Sequence, residues 1–362
     1  MSSGRIPSLD GIRCLSIILV IIGHFSYSAG SPIGNSWWTD AYAHYGVRIF
    51  FVISGFLITT LLEREREKTG RINLKQFYLR RAYRILPVAY VYAIVMALVF
   101  YGSFTVRELT LAFTYLSSYA GNMSWSLSHL WSLSVEEQFY LIWPVAAAVG
   151  VVLSRRLALL AIVLSPVFRY LLGKHGMYLG AVGSFPLVSD SIASGCLLAL
   201  YQPRLQRIQR ILAWRGFPLI WLVTLSVPIF AHFLIGSGRI VFLWPLPQIL
   251  GHSAITIFNL GMVLCIQSAI VAPPRILNAA IPVWIGSLSY SLYLWQMPFA
   301  NPGVNSWATT FPLNVILAFL AATTSFYFIE KPFLRLRERN NSANVPRTIY
   351  KTRLSPFVIS ND

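Results

Sequence analysis

Charge is scarce in this chain of 362 residues. Only 11% of its residues are Asp, Glu, Lys or Arg, against roughly 25% in a soluble domain. Acidic residues are scarcer still, 12 against 29 Lys and Arg, for a formal charge of +17. With 56% hydrophobic residues, this composition excludes an ordinary soluble domain. The basic excess sits between apolar runs, where it orients a chain in a bilayer, so no nucleic-acid partner is expected. The three cysteines, Cys14, Cys196 and Cys265, lie inside apolar runs. They form no disulfide framework and have no metal-ligand spacing, so no metal is expected. A P-loop, a GxSxG elbow, an HExxH pair and paired CxxC motifs are all missing. The first apolar stretch has no small-residue cleavage pattern after it and reads as a retained helix.

What is present is a series of apolar runs. They predict an all-α, polytopic membrane protein with about ten transmembrane helices, over 9–28, 46–62, 85–101, 131–152, 157–172, 187–201, 217–235, 247–270, 281–299 and 311–329. The strongest basic run, 63–84, and the clusters at Arg155/Arg156, Arg204–Arg215 and 330–339 share one side under this count, which places both termini in the cytoplasm. The segment 103–130 is too short in apolar residues to cross and is expected outside or re-entrant. Residues 1–338 read as one transmembrane domain, and 339–362 as a polar, poorly ordered tail.

The first helix carries a cost. Arg13 and His24 stand eleven residues apart in an otherwise apolar run. Eleven helical steps return to within about 20° of the same face, about 16 Å further along. A cation and an imidazole on one stripe of a membrane helix should face protein or a water-filled cavity. There His24 is either a structural hydrogen-bonding group or a general base, since a nearby cation and burial both disfavour its protonation. Asp10, three residues before Arg13, is placed to pair with it.

A second constellation is His129–Pro144, HLWSLSVEEQFYLIWP. Glu136 and Glu137 point about 100° apart, while His129 and Glu136 share a stripe. A carboxylate in a spanning segment costs a few kcal/mol and should serve a purpose, unless both sit solvated at the outer interface. A third is FYLRRAYRILP, 77–87, in which Arg80, Arg81 and Arg84 form either a topology anchor or a phosphate clamp.

Taken in order, several motifs resemble acyltransferase family 3: LDGIR and Arg-x10-His in the first helix, FFVISGFLI, RRAYRILP, HLWSLSVEEQFYLIWP, SLSYSLYLWQMPF and FYFIEKPF. These transmembrane O-acyltransferases modify bacterial surface and extracellular glycans. The resemblance covers about 6–338 and implies an acyl-CoA donor, usually acetyl-CoA, reached from the cytoplasm. It also implies an acceptor hydroxyl on a carbohydrate or glycolipid, and essential roles for His24 and Arg13. One departure is Ser189, which stands before Asp190 where many members carry arginine. The expected protein is a multi-pass enzyme of the bacterial inner membrane, in contact with membrane lipid. Its expected catalytic residues are His24, Arg13 and Glu136, with Arg80, Arg81 and Arg84 on the donor and His129, Trp131 and Glu137 on the acceptor. The competing expectation is a transporter or flippase, because intramembrane Arg, His and Glu also mark substrate pathways; inverted repeats would favour it, and none is visible.

Overall fold

Helix α1, Pro7–Phe25, starts with proline in its first turn, where the missing N–H costs nothing. The computed structural model describes residues 6–34, 36–174, 184–205, 222–224, 226 and 246–343. Among these, every regular element is helical.

Helix α2 runs Trp37–Thr69 and stops at Gly70, whose φ of +73° suits glycine. Helix α3, Leu74–Val99, begins after Asn73, whose side chain accepts the Gln76 N–H at 3.0 Å. The basic run 63–84 is therefore helical on both sides of a short link, not a loop. Arg66 pairs with Glu63, and Arg80 pairs with Glu65 at 2.9 Å, so the charges stabilise the helix ends they sit on.

Residues 103–129 hold only α4, Val106–Phe113, a 3₁₀ turn at Ser117–Tyr119 and α5, Trp125–Ser128. None approaches the ~20 residues of a crossing. Glu108 staples this segment together. Its Oε1 accepts the Ser124 N–H and Oγ–H, each at 2.6 Å, and its Oε2 accepts the Thr105 N–H and Oγ1–H, each at 2.9 Å.

Helix α6, Leu130–Val149, is followed after Gly150 alone by α7, Val151–Lys174. The expectation that Arg155 and Arg156 lie in a loop after the fourth helix is corrected here. Gly150, at φ +153°, breaks the chain ahead of them, and both belong to α7. Arg155 lies over the Tyr201 ring at 4.7 Å and donates to Leu200 O. The remaining helices are α8, Phe185–Leu205; α9, Leu246–Val271; α10, Ala280–Trp295; and α11, Leu313–Ser325. A π-turn, Phe326–Glu330, then leads into α12, Lys331–Ala343. The helix expected over 217–235 lies almost entirely outside the described residues, as do Arg207, Arg210 and Arg215. Helix α12 continues to Ala343, and the rest of the tail expected over 339–362 lies outside the described residues.

Six helices are long and apolar enough to cross a membrane: Pro7–Phe25, Ala41–Thr69, Leu74–Val99, Val151–Leu172, Ala254–Val271 and Leu313–Arg339. Helices α6 and α8 are of similar length but more polar, because their serines and acidic residues face inward. Most of α1 and α2 is buried, whereas α7 exposes Leu160 and Val163 on the periphery. Helices in lipid associate through close packing, which small residues allow. A Cβ on Gly46 of α2 would lie 2.6 Å from Ser16 O of α1, and one on Gly286 of α10 would collide with Asp10 O. Helix α1 is thus gripped by backbone on two sides.

Candidate active site

Helix α1 presents Arg13 toward one end and His24 in its last turn. Both are half-buried, and each has its counterpart on α6.

Toward the N-terminal end of α1, Arg13 lies 3.7 Å from Asp10 and feels the charges of Arg84, Glu330 and Glu136. Glu136 accepts a 2.6 Å hydrogen bond from Ser54 Oγ of α2 and a longer one, 3.4 Å, from Tyr140 Oη. The charges of Arg13, Arg81 and Arg84 act on it. Arg81 lies over the rings of Phe77 and Tyr140, at 5.8 and 5.2 Å. Glu137 feels Glu136 and Arg81, and its buried Oε1 has no hydrogen-bond partner among the described residues. Glu330, 3% exposed, accepts a 2.8 Å bond from Ser291 Oγ and interacts with Arg84 and Arg13. The result is a polar centre shared by α1, α2, α3, α6, α10 and the π-turn.

At the C-terminal end of α1, the His24 ring meets the edge of Trp125 with centroids 6.3 Å apart. Trp125 also packs on Tyr27 at 5.5 Å and donates its indole N–H to Met297 O at 3.1 Å, which fixes the ring. His129, just before α6, interacts electrostatically with His24. It is 3% exposed, sits 5.4 Å from both Tyr92 and Tyr293, and neither ring nitrogen has a hydrogen-bond partner among the described residues. Trp295 Nε1 and Gln296 Oε1 are likewise buried without partners. Each such group costs about 1–3 kcal/mol if left dry.

The structure separates the residues that sequence grouped. Arg80 pairs with Glu65 and is 32% exposed, whereas the charges of Arg81 and Arg84 act on Glu136. Trp131 faces α2, packed near His44 and Phe51. Three participants escaped sequence reading. Ser54 lies in FFVISGFLI among small and apolar residues. Glu330 was assigned to the cytoplasmic run after the last helix, yet it is buried. Trp125 lay in a segment without helical periodicity. The signal for Glu330 was available: a lone carboxylate directly after an apolar helix, ahead of the basic run.

Comparison with known proteins gives the same family. Residues 6–330 match the family model described as an acyltransferase domain. The chain is 31% identical to peptidoglycan O-acetyltransferase OatA of Listeria monocytogenes, over 90% of this chain and 55% of that protein. It is 29% identical to the putative peptidoglycan O-acetyltransferase YrhL of Bacillus subtilis, over 90% and 54%. A putative O-acetyltransferase of Staphylococcus aureus is 28% identical, over 91% and 57%. The chain therefore spans just over half the length of these relatives. No solved structure matches. With apolar helices that can cross a bilayer and a family match over nearly its whole length, this multi-pass membrane chain belongs to acyltransferase family 3.

Proposed function

We propose that the chain is a membrane O-acyltransferase that moves an acyl group, acetyl in the first instance, from acyl-CoA to a hydroxyl of a glycan acceptor. The observation that carries this reading is the pairing of two stripes. Arg13 on α1 interacts electrostatically with Glu136 of α6, and His24 with His129 just before α6, one pair toward each end of α1.

The ends differ in chemistry, and this divides the roles. About 16 Å of helix separates Arg13 from His24, so the two cannot hold the same carbonyl. Arg84 and Arg81, with Arg13, form the cationic end, suited to the phosphates of CoA. Arg80 is already paired and stands at the rim. The pantetheine arm would reach from there toward His24. Neutral His24 would take the proton of the acceptor hydroxyl as its oxygen attacks the thioester carbonyl; the C–S bond breaks, and CoA leaves as the thiol after taking up a proton. Glu136 would hold Arg13 and Arg84 in place. The unpartnered nitrogens of His129 and the fixed Trp125 ring suit a hydroxyl-rich acceptor, with Glu137 and Trp131 less directly placed.

In this reading ten helices cross the bacterial inner membrane with both termini cytoplasmic, and α4 and α5 cap the outer end. The names of the relatives point to peptidoglycan as the acceptor. The test is purified protein in detergent with labelled acetyl-CoA. Free CoA should appear with label on a glycan acceptor. A carrier without chemistry would release no CoA.

A further inference from the structure

A second polar cluster lies away from His24 and Arg13, among α2, α7, α8 and α9. Asp190 of α8 is fully buried, and Arg48 of α2 and Arg169 of α7 are each 7% exposed. Arg169 grips Asp190 with both terminal nitrogens, Nη1 to Oδ1 at 3.1 Å and Nη2 to Oδ2 at 2.9 Å. Arg48 Nη1 approaches Oδ1 at 3.4 Å and donates to Ser191 Oγ at 2.9 Å. Asn259 of α9 donates to Oδ2 at 3.1 Å and accepts from Ser191. The carboxylate is thus saturated by four N–H groups.

The cations are not balanced. Two guanidiniums share one carboxylate, and arginine does not lose its proton in proteins. Arg169 Nε is buried without a hydrogen-bond partner among the described residues. Among the described residues, Arg48 uses only Nη1 for its bonds. The chain has 12 acidic residues, and among the described side chains Asp190 alone touches these guanidiniums. Nine others lie at the end of α2, on α12, in the α4 staple or in the group around Arg13. Asp40 stands eight residues before Arg48 on α2, about 12 Å along the axis. Asp362 lies outside the described residues. A buried charge without a counter-charge costs several kcal/mol, so the surplus calls for an anion from outside the chain.

We propose that this cluster is a binding site for one small monovalent anion, a halide or a carboxylate, seated against the Arg169 Nε–H and the unused edge of Arg48. Bound there, it would lock α7, α8 and α9 onto α2. The site is independent of the acyl-transfer reading.

The test is thermal unfolding of the purified protein in detergent. Sodium chloride, or separately sodium acetate, replaces sodium gluconate at constant ionic strength; the six-carbon polyol chain of gluconate makes it too large for a buried site built for a small anion. A saturable rise of about 3 °C is expected with at least one of them; the responsive salt tells halide from carboxylate. Arg48→Gln leaves Asp190 in its two-bond pair with Arg169 and balances the charge, so it should fold and lose the rise. Asp190→Asn raises the surplus and should enlarge the rise if the protein folds. A wild-type midpoint indifferent to both anions, or a rise retained in full by Arg48→Gln, overturns the proposal.

Discussion

Ser54 Oγ donates to Glu136 Oε1 across 2.6 Å, tying α2 to α6 at a carboxylate on which the charge of Arg13 acts. A short bond from a neutral hydroxyl to a charged acceptor is among the stronger hydrogen bonds of a protein. It aims the carboxylate. Glu136→Gln keeps an acceptor for Ser54 but removes the charge acting on Arg13 and Arg84. Turnover is expected to fall more than tenfold with normal expression, and steady-state kinetics would show it. Ser54→Ala should cost less, because the charge remains.

His24→Ala is expected to abolish transfer while the protein stays folded and inserted. Loss of a general base costs typically 10²–10⁴-fold in rate. Loss of a structural imidazole would instead appear as about 1–3 kcal/mol of stability. His24→Gln separates the two, since the amide hydrogen-bonds but cannot take a proton at neutral pH. Near wild-type turnover in His24→Gln would remove His24 from the mechanism.

Arg84→Ala should raise the KM for acyl-CoA more than it lowers kcat, since a phosphate contact remote from the carbonyl acts as uniform binding. Arg80→Ala should change KM little, because Arg80 is paired with Glu65 at the rim. Equal effects of the two substitutions would mean that the arginines act as one unsorted patch.

Glu330→Gln should lower both the thermal midpoint and turnover. The amide can still accept from Ser291, but Arg13 and Arg84 lose a buried counter-charge. Glu67→Gln, the same change at the exposed end of α2, is the control and should alter neither.

Glu108 supplies a pH signature outside the spanning helices. Burial alone would raise its carboxyl, but the hydrogen bonds from Ser124 and Thr105 outweigh that and hold it down at about 2, against an ordinary value of 4.5. A depressed carboxyl stabilises the fold fully above its unfolded value, and that contribution fades as pH falls through the folded one. The thermal midpoint of the wild type should exceed that of Glu108→Gln at pH 6, and the gap should narrow below about pH 4.5. A gap independent of pH would assign the effect to packing instead.

Long apolar runs made the helices legible, and the arithmetic of helical turns made the Arg13–His24 stripe legible. Helix ends were less so, because caps such as Asn73 and breaks such as Gly150 are single residues inside longer patterns. The division of Arg80 from Arg84 was hidden because it depends on Glu65, fifteen residues away on another helix. Asp190 carried a signal, a carboxylate in an apolar run, but its two arginines come from α2 and α7. Pairing across helices leaves no periodic trace in either segment.

The close approaches at Gly46 and Gly286 have a mechanical consequence. A helix braced by backbone on two sides has little freedom to slide like a piston. Arg13 and His24 are therefore fixed points along one rigid rod. The short α4–α5 segment is held differently, through the single Glu108 carboxylate and the Trp125 indole beside His24.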